Sequence, residues 1–424
     1  LKDIDLVVDG VVDGVVDGVT NGAAKEQDAA LAPGAGVVLA EAVQQQNPEV
    51  NLQIHGQFQT AALTWGTDTA LGEAAGGPVM IDIATARTEF YAYPAANPEV
   101  EVSSIRQDLY RRDFTINAMA IRLTSPQSGQ LLDFFGGWFD LQEHVIRVLH
   151  ANSFIEDPSR IFRAVRFAAR LGFTLETQTE HYIRYALSSG IYADLQHSGL
   201  PYRRLPALQA RLQAELKYVL SAPQWLTALD QLQALGALSC VHPNLALNPP
   251  LRRQLSRLRR WYDRLHQRVH WTGPARWRLL LEALLASLGA AAPDAALKLE
   301  LPADTQQRLA DLLDLEPQLR HAFLTHPSDS QLDRQLQPLD TTLLWLMAAR
   351  HPRTLGVPIW RYLLQLRPLS PPLNGHDLRR LGYAPGPQFK TMLSALRAAA
   401  LDGYVSDLAS AVCYVEQHYP LADP

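Results

Sequence analysis

EDPSRIFRAVRFAARLGF, residues Glu156 to Phe173, is where the chain changes its periodicity. Pro158 suits a first helical position, and Asp157 before it suits an N-cap. Ile161, Val165 and Ala168 then recur at helical spacing as a buried side, while Arg160, Arg163 and Arg166 recur every third residue as one slowly drifting stripe. Asp accepts hydrogen bonds and Arg donates them in a fixed fork. An Asp157–Arg160 pair can therefore meet the donor and acceptor edge of a nucleobase, with the later arginines left to neutralise phosphates.

Upstream of that stretch strand and helix signals mix. Asp3 to Val8, Val50 to His55, Val79 to Thr85, Ala120 to Leu123 and Leu131 to Phe135 read as strands, with helical composition over Val37 to Gln46 and Asp113 to Ala120. Ser125 to Gly129 (SPQSG) is turn chemistry for a hairpin. Downstream, apolar residues keep helical spacing over Ile161–Leu171, Leu205–Leu220, Gln224–Leu235, Leu251–Arg268, Trp277–Leu288, Thr305–Leu313 and Phe389–Leu401. The fold expected is α+β: a small sheet-and-helix head followed by an all-helical remainder. Three copies of Val-Val-Asp-Gly at 7 to 18 match no solenoid period and read as a flexible insertion, and Asp9, Asp13 and Asp17 lack the spacing of a calcium loop.

Composition narrows the class. The 424 residues are 47% hydrophobic with two cysteines, Cys240 and Cys413, which excludes a disordered chain and a disulfide scaffold and points to a reducing, cytoplasmic setting. No apolar run approaches the length of a membrane span, so no membrane partner is expected. The net charge of −5 conceals two unlike parts. Residues 1–150 hold 20 acidic and 8 basic side chains, net −12, and residues 151–424 hold 23 and 30, net +7. An acidic front suits a cation, and a basic back suits a polyanion.

The front supplies a cation site. Asp3 and Asp5 flank Ile4 in a strand, so a period of two puts both carboxylates on one face and turns Ile4 toward the core. Mg²⁺ is a hard ion that takes one or two carboxylates plus phosphate oxygens, and it suits such a pair. Asp82, in Ile81-Asp82-Ile83, is the candidate third carboxylate, with Glu89 as a substitute. In Arg111-Arg112-Asp113-Phe114-Thr115-Ile116-Asn117-Ala118-Met119-Ala120 the arginines have no evident core role and suit phosphate. Asn117, one turn after Asp113, suits a ribose.

In combination these segments resemble the tRNA nucleotidyltransferase and poly(A) polymerase family, the bacterial CCA-adding enzymes. The resemblance rests on Asp3-Ile4-Asp5, Phe58-Gln59-Thr60, Ile81 to Glu89 (IDIATARTE), Arg111 to Ala120, Asp133 to Arg147 (DFFGGWFDLQEHVIR) and Glu156 to Phe173. Ala210 to Leu220 and Asn374 to Gly403 extend it through most of the chain. It implies a nucleotidyltransferase head at 1–150, a base-recognition neck at 151–220 and a tRNA-binding body and tail at 221–424. It implies Mg²⁺ on Asp3 and Asp5 with Asp82 as a catalytic carboxylate, and the triphosphate and ribose at Arg111, Arg112, Asp113 and Asn117. Asp157 and Arg160 would read the base, and Arg163 and Arg166 would complete the site. The implied partners are ATP, CTP and tRNA, with the oligomeric state left open. The alternatives are a poly(A) polymerase, a CC-only or A-only enzyme, or a non-catalytic RNA-binding relative. Asp133 to Arg147 resembles the family's mobile loop region, with Gly136 and Gly137 as flexible points. The family's GGxVRD segment, which precedes the D-x-D strand, has no counterpart here, so an N-terminally incomplete chain is expected. For RNA, the basic run Arg252, Arg253, Arg257, Arg259, Arg260, Arg264 and Arg268, interleaved with Trp261, Tyr262, Trp271 and Trp277, is one candidate face; the alternative for it is core aromatics with a solvated face of arginines. Lys390, near a helix start, is another.

Overall fold

A computed structural model describes residues 3–9, 34–91, 96, 99–190, 206–267, 271 and 273–420. The chain forms two compact units, one of Leu1–Glu215 with Ala234–Cys240 and one of Leu216–Gln233 with Val241–Pro424.

The first unit is built on a four-stranded sheet. β1 (Asp3–Val8), β2 (Asn51–His55), β3 (Thr60–Trp65) and β4 (Val79–Thr85) lie in the order β1-β4-β3-β2, with β1 parallel to β4 and the other pairs antiparallel. Alternation does the sorting. Ala61, Leu63 and Ile83 bury against Ala40 of helix α1 (Ala35–Gln46), while Asp5 and Asp82, in register on neighbouring strands, face the other way and are exposed. Ile4 departs from expectation. It shares the inward face with Leu6 and Val8 but stays 36% exposed, because β1 is the edge strand and Ile4 lies near its start. Helix α1 approaches β4 closely through Gly36, where a Cβ would meet the Ala84 carbonyl carbon and the Thr85 nitrogen at 2.7 Å.

Helices α2 (Ala70–Ala75) and α3 (Ile105–Tyr110) and the hairpin β5 (Arg87–Phe90)–β6 (Glu99–Val102) extend this unit. Asp113 to Ala120, expected as helix, is not one. Asp113 Oδ1 accepts the Phe114 amide, Thr115 donates its amide to Arg147 O at 3.0 Å, and Phe114 bridges Val148. Only a 3₁₀ turn survives over Thr115–Asn117, before β7 (Met119–Ile121) pairs with β8 (Leu131–Asp133) across the expected hairpin.

After β8, helix α4 (Gly137–Gln142) starts against that turn, and β9 (Val145–Ile146) follows. Asp133 accepts the amides of Gly137 and Trp138, both at 2.9 Å. Burial alone would raise this carboxyl, but the surrounding backbone N–H donors, Trp138 first, outweigh it and hold the group below its ordinary value. Gly137 is not a flexible point here: a Cβ on it would sit 2.2 Å from Thr115 O. Helices α5 (Ser153–Glu156) and α6 (Ser159–Leu171), strand β10 (Thr174–Leu175), α7 (Thr177–Ser188) and α8 (Pro206–Ser221) complete the series. In α6 Ile161 and Val165 are fully buried and Ala168 is 1% exposed, as the spacing predicted.

Every regular element among the described residues of the second unit is a helix, including most of α9 (Trp225–Leu235), α10 (Pro249–Leu265) and the last helix, Leu408–His418. No helix among the described residues is long and apolar enough to cross a membrane. The Val-Val-Asp-Gly repeat from Gly10 on, with Asp13 and Asp17, lies outside the described residues, as does Arg268.

Gly137→Ala is expected to destabilise the first unit by about 1–3 kcal/mol, the cost of overpacking against a backbone carbonyl that cannot rotate away. Chemical denaturation measures it, and an unchanged midpoint would contradict the packing described.

Candidate active site

A cavity of about 600 Å³ in the first unit is lined by Asp5, Arg111, Arg112, Asp113, Asn117, Asp157, Arg160 and Arg163, together with Glu89, Ser159, Phe167, Arg211, Ala214 and Glu215. Asp5 and Arg112 also line a neighbouring cavity of about 440 Å³ that contains Asp82, His55 and Thr60. Nine of the residues singled out in the sequence, Glu89 included, thus meet in one place. Asp82 sits next door. Arg166 joins through a shared acid, and Asp3 pairs through its backbone with Met80, its side chain lying outside the described residues.

Buried carboxylates hold the walls. Asp113, 7% exposed, accepts from Asn117 Nδ2 at 2.9 Å through one oxygen and from Arg163 Nε and Nη2 at 2.7 and 2.6 Å through the other. Asn117 therefore reaches Asp113 as expected, though across a 3₁₀ turn. Glu215 of α8, 5% exposed, takes Arg166 Nε at 2.7 Å and Arg163 Nη1 at 3.3 Å. The arginine stripe of α6 is pinned at two points, and Arg166 also lies 4.5 Å over the Phe167 ring. Asp157 keeps an extended backbone and accepts the Ser159 amide at 2.9 Å, so it caps the helix much as anticipated, and its other oxygen pairs with Arg211 Nε at 3.1 Å.

The Arg111–Arg112 pair is less free than its sequence suggested. Arg111 spans Glu89 (Nη1–Oε1, 2.5 Å) and the fully buried Asp108 (Nη2–Oδ1, 2.7 Å). Arg112 touches Asp108 Oδ2 at 3.3 Å and keeps a buried Nε with no partner among the described residues. Of the two arginines Arg112 is thus the less engaged by carboxylates. Arg160, 7% exposed, donates to Ser153 Oγ at 2.6 Å, Tyr91 Oη at 3.3 Å and Arg111 O at 3.2 Å.

Asp108, Arg211, Glu215, Ser153 and Tyr91 were not anticipated. Arg211 and Glu215 carried a signal in their i, i+4 spacing on one helix, but that spacing also describes an ordinary surface ion pair. Asp108 lay outside every segment the sequence singled out.

The donor set fits a divalent cation. Asp5 and Asp82 offer hard carboxylate oxygens in register on adjacent parallel strands, both on a cavity wall, which matches an ion that completes its shell with phosphate and water. Among the described residues no group of three or more His, Cys, Asp or Glu stands where it could hold a metal ion.

In the second unit Arg253, Arg257, Arg260 and Arg264 recur at i, i+4, i+7 and i+11 on α10. Burial first, then Arg260 and Arg253, lowers the Arg257 pKa, so these three are close enough to repel. Arg252 is paired with Asp230 at 2.9 Å and Arg259 with Asp263 at 3.3 Å. Trp261 and Trp271 pack on the fully buried Trp345, with ring centroids 6.5 and 4.4 Å away. These half-buried aromatics pack onto the core, and the arginine face stands without them. Lys390 is exposed near the start of the helix Pro387–Leu401.

A mixed sheet with adjacent carboxylates beside an arginine-walled cavity defines a nucleotidyltransferase head, and comparison with known proteins agrees. Residues 3–147 match the Poly A polymerase head domain. The A-adding tRNA nucleotidyltransferase of Halalkalibacterium halodurans is 31% identical over 345 residues, covering 81% of this chain and 75% of that protein. The A-adding tRNA nucleotidyltransferase of Geobacter sulfurreducens is 31% identical over 390 residues, 87% of this chain but only 40% of that protein. This chain thus spans less than half the length of the Geobacter relative. A solved apo CCA-adding enzyme superposes with a TM-score of 0.71 at 28% identity, covering 91% of this chain and 85% of that one. Other relatives include CC-adding and CCA-adding enzymes, and other similar structures are complexes with tRNA, ATP and CTP. The chain belongs to the tRNA nucleotidyltransferase family.

Beside Arg160, His150 lies 3.6 Å from Glu156. Burial first, then Arg160, pushes its pKa from 6.5 down to about 4. The unfolded chain then binds more protons between those values, so this contribution to stability is intact above pH 6.5 and lost as pH falls toward 4. Glu156, whose carboxyl burial raises, acts in the opposite sense. The expected result is that His150→Gln flattens the acid limb of stability against pH relative to wild type, followed by denaturant unfolding across that window.

Proposed function

We propose that this chain transfers C and/or A from CTP and ATP to the 3′ end of tRNA, with pyrophosphate leaving. The observation that carries the proposal is Asp5, which faces both the arginine-walled cavity and the cavity of Asp82. A triphosphate in the first and an RNA 3′-hydroxyl in the second would meet at that carboxylate.

In this reading Asp5 and Asp82, with Asp3 of the same strand, hold Mg²⁺, which would acidify the attacking hydroxyl and stabilise the leaving oxygens. Asp82 orients the hydroxyl for in-line attack on the α-phosphorus. Arg112 and Arg111 take the triphosphate, and Asn117, braced by Asp113, meets the ribose. Arg160 and Asp157 present donor and acceptor to the base edge, while Arg163 and Arg166 shape the wall behind them. A base with the wrong edge leaves those buried groups unpaired, which is how a protein without a template selects a nucleotide. We assign residues 1–150 to the head, 151–220 to the neck and 221–424 to the body and tail. Arg252, Arg253, Arg257, Arg260 and Arg264 of α10, and separately Lys390, are assigned to tRNA phosphates, which makes affinity fall steeply with salt.

A-addition alone is the second reading, favoured by two relatives named A-adding that match more than four fifths of this chain. Supplying tRNAs that lack all three terminal nucleotides, or only the last, with each nucleotide separately distinguishes them. Incorporation of A onto the shorter deletion alone is expected if this holds.

Two substitutions test the site. Asp5→Ala is expected to abolish nucleotide incorporation while tRNA affinity in a filter-binding assay survives, and near wild-type turnover would remove Asp5 from the chemistry. Arg160→Ala is expected to blur the choice between CTP and ATP. Unchanged selectivity would end its base-reading role.

A further inference from the structure

Four groups close a ring of hydrogen bonds behind the cavity. Arg111 Nη1 donates to Glu89 Oε1 at 2.5 Å, and Tyr91 Oη donates to Glu89 Oε2 at 3.0 Å. Arg160 Nη2 donates to Tyr91 Oη at 3.3 Å and to the Arg111 carbonyl at 3.2 Å. The ring thus ties the arginine assigned to the base to the arginine assigned to the triphosphate, through a tyrosine at the end of β5.

Tyr91 does not itself line the cavity, and its hydroxyl is committed in both directions. Burial first, then Glu89, raises its pKa, so it remains a protonated donor toward Glu89 and leaves a lone pair for Arg160. Arg160 is held from the other side by Ser153 Oγ at 2.6 Å. Arg160 Nη1 also lies 3.8 Å from Glu156. Among the groups around its terminal nitrogens, Tyr91 is the one that also reaches Glu89, and Tyr91→Phe removes that hydroxyl while keeping the ring.

We propose that Tyr91 is a positioning residue for nucleotide choice: its hydroxyl sets the orientation of the Arg160 guanidinium, and through Glu89 couples that orientation to Arg111. This rests on the reading of Arg160 as the base-selecting group. Without the hydroxyl, Arg160 keeps Ser153 and the Arg111 carbonyl but loses one of the two bonds that hold Nη2, and selection between bases with opposite edges weakens.

The experiment compares wild type, Tyr91→Phe, Arg160→Ala and the double variant by two readouts, the ratio of kcat/KM for CTP and ATP on tRNA, and the ratio of their dissociation constants with Mg²⁺ present. Tyr91→Phe is expected to shift both ratios by about tenfold or more, the size of one lost hydrogen bond to a charged group, with an unfolding midpoint close to wild type. In the Arg160→Ala background it is expected to shift them no further. Unchanged ratios in an active Tyr91→Phe protein overturn the inference and leave the proposed function standing, as does an equal shift in both backgrounds. A wild-type chain that neither incorporates nor binds either nucleotide overturns both.

Discussion

The carboxylate of Asp113 is where the first unit is fastened. One oxygen holds the Phe114 amide and the Asn117 side chain, and the other holds two nitrogens of Arg163 from a helix fifty residues on. Arg163 continues to Glu215 on α8, and Glu215 to Arg166. Carboxylates buried this deeply are costly unless each is matched, and removal of an arginine partner strands them. The cavity wall therefore owes its shape to charge pairing more than to apolar packing, which leaves its inner surface polar and suited to a charged ligand.

This constraint also explains why so many arginines gather without repelling one another apart. Arg87, Arg111 and Arg112 crowd one region, yet Asp108 and Glu89 stand among them. The nearby sheet face works the opposite way. Asp5 and Asp82 lie side by side without an arginine bonded to Asp5 among the interactions described, an excess of negative charge that a cation offsets. Acid excess and arginine excess meet at Asp5, which borders both cavities.

Much of this was legible in the sequence, for physical reasons that differ by region. The strands Asp3–Val8 and Val79–Thr85 could be read to the residue because a two-residue alternation of acid and apolar side chains has one solution on a half-buried sheet. The face of α6 followed from its spacing. β3 escaped notice because its inward positions include alanine, a weak strand signal, and the helix expected at Asp113 to Ala120 gave way to contacts with Arg147 and Val148 that no local pattern announces. At the site, single residues were visible where their chemistry was odd in its setting, as with paired arginines or D-x-D. Their buried counter-ions, Asp108 and Glu215, were not, because only the fold brings them within reach. The aromatic residues among the arginines of α10 could be read as core or as part of an RNA face, and Trp261 and Trp271 pack on Trp345.

The central claim is that buried carboxylates hold the arginine wall in the form that binds nucleotide. Isothermal titration of CTP and ATP, with Mg²⁺, into wild type and Glu215→Ala tests it most directly, since Glu215 backs the wall and pins two arginines without belonging to the proposed chemistry. The account predicts a loss of at least tenfold in affinity for both nucleotides in a variant that remains folded. Affinity equal to wild type, with Arg163 and Arg166 released from their shared acid, would contradict it.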